Sequence, residues 1–179
     1  MKILAIDPGT KQIGVAVLDG EDLIFYAVKT VRDRSTAQKI LKQAAVIIGE
    51  LIVKFEPDCL AIEKMFIVQK SAALLSVVAE EIKFEARVFG LPIYEYAPTV
   101  VRKSVCGSGK ATKQELAKVV SNRYPELARH LNARAKWEES YYANIYDAVG
   151  VALVCRAENT LQQLPLAGHP NQSPAATLS

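Results

Sequence analysis

The run Ile3–Ile6 is unbroken apolar sequence, stops at Asp7, turns through Pro8 and Gly9, and resumes at Ile13. With a third apolar run it predicts strands at roughly 2–7, 13–19 and 22–30, the last two joined by a hairpin at Asp19-Gly20. The period then changes. Ile40, Leu41, Ala44, Ile47, Ile48, Leu51, Ile52 and Phe55 recur at helical spacing, so a helix runs from a cap at Ser35 to about Phe55, where Pro57-Asp58 ends it. "CLAIE" is a short buried strand that again stops on an acid, Glu63. Residues 70–89 predict a helix closed by Gly90, and "PIYEYA" a fifth strand. "TVVRKSVC" is a short helix ending at Gly107, followed by the loop "GSGKA". Thr112 and Glu115 form a capping box for the next helix. Residues 132–139 are polar and irregular, and a last helix spans about 140–160.

This order implies an α/β fold: a mixed five-stranded sheet, three antiparallel strands first, with helices on both faces. One domain covers 1–161, and the Pro-, Ser- and Ala-rich residues of 162–179 predict a disordered tail. The chain has 179 residues, half of them apolar, enough for a sizeable core. No apolar run reaches the roughly 18–20 residues of a membrane span, and the N-terminus lacks a secretory pattern. Cys59, Cys106 and Cys155 are widely separated, which suggests reduced thiols in a cytoplasmic protein. His130 and His169 have no metal-binding neighbour at helical spacing, so any metal would be a hard ion on oxygen ligands.

Two strands therefore end on carboxylates. Asp7 reads either as a turn former or as a ligand or catalytic acid at a sheet rim. A third acid, Asp147, begins the apolar stretch Ala148–Val154, where a charge is costly unless it is paired or metal-bound. The net charge of +3 says little, but its distribution says more. Arg102, Lys103, Lys110, Lys113 and Lys118 stand against Glu115 alone, and a second run holds Arg123, Arg129, Arg134 and Lys136. Such runs are solvated helix faces or footprints for a phosphate backbone.

The segments "AIDPGTKQIGVAV", "LAIEKMF", "YAPTVVRKSVCGSGKATK" and "NIYDAVGVAL" resemble, in order and spacing, the RuvC family of Holliday junction resolvases over about residues 1–158. The opening motif is shared with other RNase H-like nucleases and actin-like ATPases, so "VRKSVCGSGKATK" is the most specific piece. The resemblance implies an RNase H-like fold and a homodimer bound to four-way DNA junctions, with a branch-migration helicase complex as a candidate further partner. It also implies paired nicks that depend on Mg²⁺ or Mn²⁺, two ions per site, in DNA recombination and repair. By position, Asp7, Glu63 and Asp147 match the catalytic, metal-binding acids. Arg102 and Lys113, with Lys103 and Lys110 in the same segment, match DNA-contacting bases, and Phe66 matches an aromatic that works against a base at the junction centre.

The chain departs from the family where an acid or His is usual one helical turn before the last Asp. Asn144 stands there, a candidate neutral ligand, with Glu138 and Glu139 as candidate substitutes. Two other readings accompany the resolvase: a related RNase H-like nuclease acting on structured RNA, and a junction-binding protein whose catalysis is impaired by Asn144. A sugar-kinase-like reading of "DPGT" fails on length, and "GSGKAT" lacks the spacing of a phosphate loop.

Overall fold

A computed structural model describes residues 1–64, 72–131 and 136–163. The first three strands form where the apolar runs place them: β1 (Lys2–Asp7), β2 (Gln12–Asp19) and β3 (Asp22–Thr30). They are followed by α1 (Ala37–Phe55), β4 (Cys59–Glu63), α2 (Ala72–Val88), β5 (Ile93–Tyr96), α3 (Pro98–Cys106), α4 (Lys113–Arg123) and α5 (Lys136–Gln163). The strands make one sheet in the order β3-β2-β1-β4-β5. β2 is antiparallel to β1 and β3, while β4 and β5 run parallel to β1. The ends of β1, β3, β4 and β5, and the start of β2, consequently share one edge of the sheet.

Side chains alternate across the strands. Ile3, Ala5, Ala16, Leu18, Cys59 and Ala61 face α3, α4 and α5. Leu4, Ile6, Ile13, Val15, Val17, Leu60 and Ile62 face α1 and α2. Both faces are covered, which is why β1 reads as an unbroken apolar run rather than an alternating one.

The local chemistry departs from expectation at a few places. The cap of α1 is Thr36, whose hydroxyl accepts from the Lys39 N–H (3.3 Å), while the Ser35 hydroxyl donates to Asp33 Oδ1 (2.7 Å) in the turn before the helix. A 3-10 helix over Pro125–His130 has no counterpart in the sequence reading. Of the expected irregular stretch 132–139, residues 132–135 lie outside the described residues and Lys136–Glu139 are the first turn of α5: once Asp147 and its apolar stretch are packed on the sheet, the residues before them continue the same helix. The described part of the 70–89 helix is Ala72–Val88, and the expected tail from 164 lies outside the described residues. The three cysteines are free, with Cys59 and Cys155 buried.

Candidate active site

Asp7 and Glu63 are the last residues of neighbouring parallel strands, with Ile6 registered against Ile62. Strand alternation gives Asp7 the face of Ala5, and Glu63 the face of Ala61. Both carboxylates therefore leave the sheet on the side covered by α5.

The helix comes unusually near at this point. A Cβ on Gly14, the cross-strand partner of Asp7, would sit 2.1 Å from the Asn144 carbonyl oxygen. Only a residue without a side chain lets the α5 backbone rest on β2 there. Asp147, one turn further on, is then buried (5% exposed) against the strand ends. Gly150 has a related role, since its Cβ would lie 2.8 Å from the Val101 side chain of α3.

Lys113 completes the cluster. The capping box starts α4 at this residue: Thr112 Oγ1 accepts from the Glu115 N–H (3.2 Å), and Glu115 Oε2 accepts from the Thr112 N–H (2.6 Å). The Lys113 Nζ donates to Asp147 Oδ2 at 2.6 Å. The lysine is about half exposed and its partner carboxylate is not. Burial works to lower the Lys113 ammonium, but Asp147, Asp7 and Glu63 outweigh it and hold its pKa above the usual lysine value.

The acids repel one another. Burial, then the charges of Asp147 and Glu63, push Asp7 well above the ordinary carboxylate range against the pull of Lys113. Burial and Asp147 push Glu63 up to about 7, opposed by Lys113 and Arg102. Carboxylates in that condition call for more positive charge than the nearby bases supply.

Among the described residues, no three His, Cys, Asp or Glu side chains close around one point that could seat an ion. Lys113 holds an oxygen of Asp147 instead. Donor type and charge nonetheless fit a hard divalent ion, for the cluster is made of carboxylate oxygens and the Lys113 ammonium already meets it as a cation.

Asn144 faces the start of β2, where its Nδ2 donates a long hydrogen bond to Gln12 Oε1 (3.4 Å). Arg102 is half-buried and near enough to Glu63 to act on its charge. Lys103 and Lys110 are exposed on α3 and on the following loop. That loop is turned rather than slack, since the Ser108 hydroxyl accepts from the Lys110 N–H (3.3 Å) and the Ser108 carbonyl from the Ala111 N–H (3.1 Å). Glu138 is half-buried in the first turn of α5. Phe66 lies outside the described residues. The sequence reading passed over Gly14 and Gln12, although a glycine inside a strand is itself a signal of close backbone approach.

The chain is similar to known proteins over nearly its whole described length. A family model for the crossover junction endodeoxyribonuclease RuvC matches residues 3–155. The enzyme of that name from Ralstonia pickettii is 32% identical over 174 residues, 94% of this chain and 90% of the relative. That from Vibrio cholerae serotype O1 is 29% identical over 176 residues, covering 93% and 92%. The structure of Thermus thermophilus RuvC in complex with Holliday junction substrate superposes with a TM-score of 0.70 at 22% identity, covering 88% of this chain and 96% of that one. On the match across nearly the whole domain, the chain belongs to the crossover junction endodeoxyribonuclease RuvC family.

Proposed function

We propose that the chain is a structure-specific endonuclease that resolves four-way DNA junctions by paired, metal-dependent nicks. The observation that carries this reading is the meeting of Asp7, Glu63 and Asp147 with Lys113 where antiparallel and parallel halves of the sheet join. Membership of the family does not favour the RNA-acting or catalytically impaired readings.

Asp7, Glu63 and Asp147 would hold the metal, Mg²⁺ or Mn²⁺, with Asn144 the candidate for a neutral further ligand. When bound, such ions activate water and neutralise charge at phosphorus, two ions being the usual number for in-line displacement. Arg102, Lys103 and Lys110 hold the phosphate backbone in register. Lys113, already turned towards the acids, balances their charge, and with a metal ion in that place its ammonium would be available to a backbone phosphate. Its half-exposed position leaves it free to exchange partners.

Two sites are needed to nick two strands. The α2 helix leaves Val77, Phe84 and Val88 exposed (49%, 57% and 64%) on one stripe, an isologous surface for a second copy of the chain.

The test uses labelled four-way junction, linear duplex and structured RNA, each with Mg²⁺ and Mn²⁺. The wild type cuts the junction symmetrically and spares the others. Asp7→Asn abolishes cutting and leaves junction binding largely intact, because binding rests on bases elsewhere. Cutting retained by Asp7→Asn, or a preference for RNA, overturns the proposal.

A further inference from the structure

The sheet edge that carries the acids also carries basic side chains on both sides of them. On the β4–β5 side stand Arg102 and Lys113. On the β3 side, two strand spacings from β1 and so about 10 Å away, stand residues outside both basic runs singled out in the sequence. Thr30 pairs with Gln12, and the Val31 N–H donates to the Lys11 carbonyl (2.9 Å). The connection from β3 to α1 is thereby tied to the turn that follows Asp7. Lys11, Arg32, Arg34, Lys39 and Lys42 are all exposed there.

Two details set this cluster apart from a solvated charge run. Its backbone is pinned. Gln43 Oε1 accepts from the Arg32 and Asp33 N–H groups (2.9 and 3.2 Å), and Gln43 Nε2 donates to the Asp33 and Lys39 carbonyls (2.6 and 3.0 Å). Arg32 and Arg34 thus project from ordered chain. The Asp33 carboxylate is also occupied, because it binds Lys39 (2.7 Å) and the Ser35 hydroxyl (2.7 Å), while Glu50, Glu81 and Glu85 line the hollows beside Lys42 without an ion pair to it. Among the described residues, Lys11, Arg32, Arg34 and Lys42 make no ion pair. By contrast, Lys83 is neutralised by both Glu80 and Glu95.

We infer that Lys11, Arg32, Arg34 and Lys42 hold the phosphate backbone of a duplex arm as it leaves the acids on the β3 side, opposite α3 and α4. This rests on the junction-cutting reading and adds a second binding surface to it. The ligand chemistry is a continuous polyanion, since only an extended backbone meets both basic flanks and passes the acids between them. Gln43 is the positioning residue: by fixing the connection it removes part of the ordering cost of gripping a phosphate.

The experiment measures binding of a fluorescent four-way junction and of a linear duplex as a function of salt. It compares the wild type, Arg32→Ala/Arg34→Ala, Arg32→Lys/Arg34→Lys and Lys11→Ala/Lys42→Ala. Each alanine pair should lower the slope of log affinity against log salt by about 1.8, at roughly 0.9 per lost contact. The lysine pair should keep the wild-type slope, because a phosphate contact needs charge rather than a base-reading fork. Neutral methylphosphonates placed along one arm should weaken the wild type at a few adjacent positions and leave Arg32→Ala/Arg34→Ala unaffected there. Thermal melts verify that the exposed substitutions leave the fold intact. An unchanged slope in folded alanine variants overturns the inference. So does an unchanged slope joined to weaker binding of polyglutamate, which would assign the surface to an acidic protein. A wild type that binds junction no better than duplex and does not cut would sink the resolvase reading alone, as the slope change is still measurable on duplex.

Discussion

Without divalent ions, Asp7 and Glu63 keep protons that ordinary carboxylates release. The unfolded chain gives up the Glu63 proton near 4.5 and the folded chain near 7. Folding is therefore favoured most below the unfolded value, and that contribution is lost as pH rises through 7. The metal-free protein should be less stable at pH 8 than at pH 5 by about 2.5 kcal/mol from Glu63. Asp7→Asn should raise the melting temperature at pH 8, about 2–4 °C for each kcal/mol of repulsion removed. Calorimetric melts in chelator check both, and added Mg²⁺ should shrink the pH dependence. Asn144 tests the cluster from the other direction. Asn144→Asp adds a charge close to Asp147, so a weak ion site should fill at lower Mg²⁺, seen as a lower half-saturating concentration in metal-titrated cleavage. A higher requirement would show that Asn144 orients Gln12 or water and does not touch the ion.

The site depends on how closely α5 lies on β2. Gly14→Ala would push a Cβ against the Asn144 carbonyl, and backbone on backbone has no flexible group to yield. The expected cost is about 1–3 kcal/mol. Because the helix must lift to relieve the clash, cutting should fall far more than junction binding does. Parallel melting, cleavage and binding measurements separate those effects. Equal losses of binding and cutting would mean general unfolding rather than a displaced Asp147. The α4 start belongs to the same level of organisation. Its capping box is readable as Thr112-x-x-Glu115, whereas the direction of the next side chain, Lys113, is known only once α4 packs beside α5.

At the scale of the described molecule, two surfaces bear on assembly and substrate. One sheet edge carries acids flanked by bases, and the α2 flank carries Val77, Phe84 and Val88. Phe84→Glu, on an exposed position, should leave the monomer folded and convert a dimer at micromolar concentration into a monomer by sedimentation velocity. A wild type that sediments as a monomer with and without junction DNA would dismiss α2 as the shared surface. The monomeric Phe84→Glu variant should still bind a junction weakly and nick it on one strand at a time, since the second site arrives only with the second copy.

Local pattern carried most of the elements. Strand and helix periods, the Asp19-Gly20 turn and the Thr112 box are short-range properties, so they appear in sequence and again in the fold. The motifs of the resemblance likewise contain Asp7, Glu63 and Asp147, which the fold brings to one end of the sheet. What sequence could not hold was long-range. The choice of Thr36 over Ser35 as the α1 cap is the exception, a local one, for the Ser35 hydroxyl donates to Asp33 two residues away; the extension of α5 past its apolar stretch to Lys136 follows from packing on the sheet. The orientation of Lys113 onto Asp147, the fit of Gly14 beneath Asn144, and the bond from the Val31 N–H to the Lys11 carbonyl join residues far apart in the chain. Such contacts depend on strand order and helix approach. A one-dimensional pattern records which face a residue occupies, but only the packed sheet and helices decide what it meets there.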